Sequence, residues 1–332
     1  MQRLAEKEIK PMLKKSIAFI VTIILTLSSV TLGFSASDAV GAKVKEYIAA
    51  PSQYTNNPTY GSTSEMEKTL SADGAVASLG NFGGYAVYEF ENEITDSPSH
   101  RYGIDFVISG NSFNGEFTTQ EPGQVWVSQD GNNWYALAGS EHYEDETVWD
   151  YSVTYHNTQT NTSTYTDSLG ESGNVCARSP YPSKDVYTTV DFDENDLTLS
   201  GVLLRKNLTS SPSNGISTSF GYVDALSKAS AEAVSNPYTE NPKQNGADGQ
   251  FDIAWTVDEK GIPVRLDSIK YVKVQTATFI DSGAFGEKST EISKVTLADD
   301  EEFIHSRADV EITVNGQKAV FDGNNFCKLE GF

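Results

Sequence analysis

Ile104-Asp105-Phe106-Val107-Ile108-Ser109 is the stretch that decides the fold. Ile104, Phe106 and Ile108 stand at every second position and alternate with Asp105, Val107 and Ser109, the period of an extended strand with one buried face. Phe251, Ile253, Trp255 and Val257 repeat the alternation against Asp252, Ala254 and Thr256, and Val272, Val274 and Thr276 repeat it again. Clusters of Gly, Asn, Asp and Ser separate these runs. Strands of this kind predict a mainly β chain, an antiparallel β-sandwich of jelly-roll type with long loops.

Working outward, Val125 and Val127 lead into Gln129-Asp130-Gly131-Asn132, and Trp134, Tyr135 and Leu137 lead out. Asp-Gly supplies the positive φ of a tight reversal, so residues 124–138 read as a hairpin. A second reversal is expected at Asp258-Glu259-Lys260-Gly261, between Val257 and Val264. Residues 156–184 and 206–249, rich in Ser, Asn, Thr and Gly, read as long loops of the kind that carry binding surfaces. Ahead of the strands, residues 40–49 read as a short helix and 64–70 as another helical turn or two. The expected organisation is a signal segment over 1–37, a lead-in over 38–70, a sandwich over 71–305, and over 306–332 the opening of an incomplete β domain or tail. In that last part Val310, Ile312 and Val314 alternate before Asn315-Gly316.

The N-terminus sets Lys14 and Lys15 before an apolar run over residues 17–34 that ends in Ser35, Ala36 and Ser37. That order reads as a secretory signal helix, an uncleaved anchor being the alternative, and Met12 offers a second start. Export to the cell surface or beyond follows, with no membrane insertion after cleavage. The formal net charge is −22, more negative still without the leader. Such a field repels phosphate backbones and excludes nucleic acid as a partner. Cys176 and Cys327 are the two cysteines, too few for a zinc site and open as to a bridge. His100, His142, His156 and His305 show no ligand spacing and read as surface or loop residues.

An ordered series of short strings resembles a family of secreted bacterial cell-surface proteins. It begins with Gly83-Gly84-Tyr85, Asp105-Phe106-Val107-Ile108, Gly110-Asn111-Ser112-Phe113 and Glu121-Pro122-Gly123. It continues through Trp134-Tyr135, Tyr151-Ser152-Val153-Thr154-Tyr155, Gly221-Tyr222-Val223-Asp224 and Phe251-Asp252-Ile253-Ala254-Trp255, and closes on Gly286-Glu287-Lys288-Ser289-Thr290-Glu291. The hairpin over residues 125–138 also resembles the strand pair of discoidin-like, galactose-binding-like sandwiches. The resemblance implies a surface module that captures a glycan or a nutrient such as a corrinoid, through loops at one end of the sandwich. Fold likeness alone does not transfer function.

Trp149, Tyr151, Val153 and Tyr155 share one face of a strand, and two readings stand: a ring row that stacks on a ligand, or core filling. Trp126 is expected outward, because its neighbours Val125 and Val127 point in, and Glu121 and Tyr222 complete the candidate ligand-binding set. The acidic balance allows calcium, which takes carboxylate and carbonyl oxygens. Asp105, Asp224, Asp252, Glu287 and Glu291 are the candidate ligands, against a reading as solvated surface acids. No Gly-x-Ser-x-Gly elbow is present and no acid pair stands out, so the expectation is no enzyme. A structural or adhesive protein that contacts another surface protein is the alternative, and a carboxylate glycosidase the second.

Overall fold

Six strands build the largest sheet, in the order β1 (Ala42–Ile48), β3 (Tyr85–Thr95), β15 (Ser268–Thr276), β7 (Gly123–Ser128), β8 (Tyr135–Leu137) and β14 (Thr256–Val257), every pair antiparallel. The computed structural model describes residues 40–52, 55, 60–71, 74–114, 118–119, 121–157, 163–175, 196–204, 220–225, 249–279 and 289–298, and the backbone at 312–314, 317–320 and 328–329. The signal segment, both cysteines, Glu287, His305 and nearly all of the loop over 206–249 lie outside the described residues.

A second sheet runs β11 (Ser172–Asn174), β10 (Ser163–Asp167), β9 (Val148–Asn157), β12 (Leu197–Leu203). A third runs β13 (Gln250–Phe251), β4 (Phe106–Ser109), β17 (Lys294–Leu297). Smaller pairings join β2 (Ala77–Ser78) to β16 (Glu291–Ile292) and β5 (Phe113–Asn114) to β6 (Thr118–Thr119). Near the C-terminal end β18 (Ile312–Val314), β19 (Gln317–Val320) and β20 (Lys328–Leu329) pair antiparallel in that order, with Val314 opposite Gln317; residues 315–316 lie outside the described residues. The chain is thus mainly β and layered in antiparallel sheets.

Period two is obeyed where it matters most. On β15, Val272 and Val274 are fully buried while Tyr271, Lys273 and Gln275 take the opposite face, and on β7 Val125 and Val127 are likewise fully buried with Trp126 opposite. Both reversals form as read: Gly131 sits at φ +77° with Asp130 Oδ1 accepting the N–H groups of Asn132 and Asn133, and Asp258 Oδ1 accepts those of Lys260 and Ile262. The helical turn near 64–70 is α1 (Thr63–Lys68), started by Ser62, whose Oγ accepts from Glu65 N–H, and anchored by the buried Met66.

Four expectations are corrected. Residues 40–49 form no helix: β1 lies there, because six backbone pairs with β3 outweigh a short helix whose nucleation is costly. The stretch from Phe251 to Val257 is no continuous strand; Asp252 caps a single 3-10 turn, Ile253–Trp255, by accepting Ala254 N–H at 2.8 Å. Its apolar residues are nevertheless all buried. The strand around Phe106 is buried on both faces, since Val107 is apolar and Asp105 accepts hydrogen bonds inside. Residues 156–184 are no plain loop either, as β10 pairs with β9 and β11 with β10 among the described residues there.

Two glutamines bind the second sheet to the first. A β-bulge between Gly201 and Leu203 takes Val202 out of the β9 ladder, and the Gln124 amide answers both of its backbone groups. Gln124 Nε2 donates to Val202 O at 3.0 Å and its Oε1 accepts Val202 N–H at 3.3 Å, while Gln275 Nε2 donates to Ser200 O at 3.0 Å and Gly83 O at 2.9 Å. Gly201 is the residue this approach requires: a Cβ there would stand 2.4 Å from Gln275 Oε1. Gln124→Met should strand two buried backbone groups at about 1–3 kcal/mol each. Urea unfolding should therefore show a loss of about 2–6 kcal/mol, and a loss below about 0.5 kcal/mol would refute the clamp.

Candidate functional site

A cleft lies between the β12 residues Thr198–Ser200 and the Lys273 face of the six-stranded sheet. Thr198, Leu199 and Ser200 form one wall, Trp134 and Gly131 of the hairpin another, and Val87, Tyr85, Gln275 and Lys273 the floor. Lys45 and Glu46 close the remaining side. The cleft encloses about 290 Å³, at the lower limit of the ~300–1,000 Å³ usual for small-molecule sites.

Register explains how these groups meet. Glu46 pairs with Val87, Val87 with Lys273 and Lys273 with Trp126, so one row crosses four strands on one face. On β1 a bulge between Val44 and Glu46 inserts Lys45 as an extra residue, which lets two consecutive charged side chains line the same cleft. Lys45 Nζ lies 4.3 Å from the Tyr271 ring centre. Lys273 Nζ lies 4.9 Å from Trp126, 5.1 Å from Trp134 and 5.8 Å from Tyr85, a cage of ring faces around one ammonium. Burial pulls the Lys273 amine down to about 8, against the opposing charge of Glu46. Burial, then the Glu46 charge, pushes the Tyr85 phenol up.

Apart from Trp126, whose ring borders Lys273, the described residues singled out in the sequence fall outside the cleft, and all of them form three groups. Tyr151 and Tyr155 fill the core between the first two sheets with Phe82, Val153, Leu199 and Leu203; their hydroxyls donate to Asp167 and to Phe82 O. Core filling is thus the placement the structure gives to that part of the ring row. Trp149, past the bulge, leaves the row and packs instead with Trp126 and Tyr222. Trp126 does take the face opposite Val125 and Val127, yet Lys273 and that aromatic group keep it half-buried.

The third group is acidic. Glu121, Asp224 and Glu291 converge within 4.8 Å, and Asp105 and Asp252 converge with Asp96 in a separate triad. The oxygens are largely committed: Asp224 accepts the N–H groups of Asn111 and Glu291, Asp105 those of Ser97 and Ile253 together with a bond to His100, and Asp252 that of Ala254. Asp105, Asp224, Asp252 and Glu291 are buried, not solvated, Asp224 at 1 % and Glu291 at 8 % exposure, while Asp96 and Glu121 are half-buried. Burial first, then the Glu121 and Asp224 charges, hold the Glu291 carboxyl well above its ordinary value.

His142 also departs from the surface placement expected of it. It is fully buried, stacked on Tyr222 with ring centres 5.6 Å apart, and its Nδ1 meets Gly139 N–H at 3.0 Å and the Tyr222 hydroxyl at 2.8 Å. Burial pulls it down to about 3, so it is a neutral packing residue at neutral pH. The cleft residues themselves were open to detection on β15, where the alternation that buries Val272 and Val274 sends Lys273 and Gln275 to the other face. Neither a scan against protein-family models nor a search of curated proteins returned a match.

Glu291 yields a sign-determined prediction. Below its unfolded value near 4.5 both states hold the proton. As pH rises above that, the unfolded chain ionises while the folded carboxyl stays neutral, so stability falls until the raised folded value is passed. Glu291→Gln keeps a neutral side chain and should be more stabilising, relative to wild type, at pH 8 than at pH 4 in urea melts. A calcium ion held by the triad would invert this: calcium would raise the wild-type melting temperature and Glu291→Gln would abolish the rise.

Proposed function

We propose that the chain is an exported, non-catalytic binding module of the cell surface that captures a small saccharide unit in the Lys273 cleft. The observation that carries the reading is the composition of the cleft: half-buried Trp134 and Tyr85 stand beside the exposed residues Thr198 and Ser200, the Thr198 hydroxyl sharing one bond with Thr154 at 2.9 Å and keeping capacity for a further one. A sugar ring presents a C–H face for stacking and hydroxyls for hydrogen bonds, and that mixture matches both. Export is supported by the basic, apolar and small-residue order of residues 14–37.

Size separates the two ligand classes implied by the resemblance. A volume of about 290 Å³ suits one sugar ring and would admit no more than the rim of a corrinoid. Glycoside hydrolysis is disfavoured by the placement of the tight acid triad, whose Asp224 and Glu291 are buried away from any solute.

Calorimetric titration against a panel of monosaccharides and against cobalamin tests the reading. At least one sugar should bind, cobalamin should not, and Trp134→Ala should weaken the sugar about tenfold, the loss of a stacked ring at roughly 1 kcal/mol plus its buried area. Binding of no sugar, with retention of a protein partner from the cell envelope, would replace the proposal with an adhesive role.

A further inference from the structure

Lys273 is the residue of the cleft whose chemistry is least satisfied. Its ammonium is surrounded by the Trp126, Trp134 and Tyr85 rings, and among the described residues its three N–H groups meet no hydrogen-bond acceptor and no carboxylate within ion-pair distance. Ring faces attract a cation without using up its directional N–H groups, so those groups are left for an oxygen that the cleft does not supply. Gln275 does not provide it: its Nε2 is committed to Gly83 O and Ser200 O, and its Oε1 lies 3.3 Å from Gln124 Nε2. Lys45 adds a second ammonium on the same cleft.

The overall charge of −22 argues against an anionic ligand only at long range. At physiological salt, exposed charges beyond about 8 Å are largely screened, and inside the cleft two ammonium groups face the single carboxylate of Glu46. A charge-assisted bond from a partly desolvated ammonium to a carboxylate is about twice as strong as a neutral one.

We infer that the cleft prefers an acidic sugar, a uronic-acid type whose carboxylate accepts from the Lys273 ammonium while its ring lies against Trp134 and Tyr85. The inference rests on the saccharide-binding reading and specifies its substrate class. Because burial pulls the free Lys273 amine down to about 8, the bound anion must hold the proton on, and affinity for it falls as pH rises through that value. The charged and titratable groups facing Lys273 are Glu46 and Lys45 from β1, Tyr85 from β3, and Tyr271 from its own strand; Glu89 is held at 3.2 Å by Lys43. The Thr198–Ser200 edge and the two tryptophans contribute none.

Titrations of the full chain with galactose and galacturonate, at pH 6.5 and pH 9.5, decide the matter. Galacturonate should bind about tenfold tighter than galactose at pH 6.5, and the ratio should shrink several-fold at pH 9.5. Lys273→Met, checked for folding by its melting curve, should bring the ratio towards one, whereas Lys260→Met in the distant turn should keep it. Equal affinity for the two sugars at both pH values overturns the acidic preference and leaves saccharide capture standing. Failure to bind galacturonate while a neutral sugar of the monosaccharide panel binds overturns the acidic preference alone, and failure of the whole panel and of galacturonate overturns saccharide capture with it.

Discussion

The contact on which the arrangement of sheets depends is the Gln124 amide set against the backbone of Val202. A primary amide has the same donor and acceptor as a peptide group, so Gln124 acts as one residue of a strand that is not there. Two constraints follow from it. The β12 edge is held against one face of the six-stranded sheet, and Gly201 must stay without a side chain where the two glutamines pass. The cleft lies beside that contact, lined by Thr198, Leu199 and Ser200 of β12 and by Lys273 and Gln275 of the sheet.

Buried polar groups recur in the same role elsewhere. Asp105, Asp224 and Asp252 each accept backbone N–H groups from segments distant or adjacent in the chain, and Asp224 does so from a left-handed backbone at φ 58°. Such acceptors let irregular connections between short strands be buried without orphaned amides. Carboxylates that look in sequence like ligands for a cation are thus also explained as ligands for the main chain. His142, neutral and stacked, extends the pattern to an imidazole.

Much of the fold was legible in the alternation of apolar residues, since burial on one side of a pleat repeats with period two whatever the tertiary context. Val125, Val127, Val272 and Val274 read correctly for that reason, and the Asp130-Gly131 reversal because only a few residues tolerate its backbone. Failures came where a long-range partner overrode a local preference. Residues 42–48 became a strand through β3, and Ile253–Trp255 became a turn held by the distant Asp105, which accepts Ile253 N–H, together with the local Asp252 cap; neither leaves a periodic trace. The site was less legible still. Its members come from β1, β3, β12, β15 and the hairpin, and each alone is an ordinary lysine, tyrosine or tryptophan. Large aromatic residues drew attention in sequence, yet Tyr151 and Tyr155 are core because a ring near a strand centre is usually the cheapest way to fill the space between sheets.

The inserted Lys45 carries a consequence beyond the cleft. β1 is the outermost strand of its sheet, and an outer strand with regular spacing would offer its free amides and carbonyls to any other chain that came near. The irregularity breaks that spacing at the middle of the strand and places a cation and an anion there side by side. One extra residue therefore lines the cleft and, at the same time, works against two copies zipping together edge to edge.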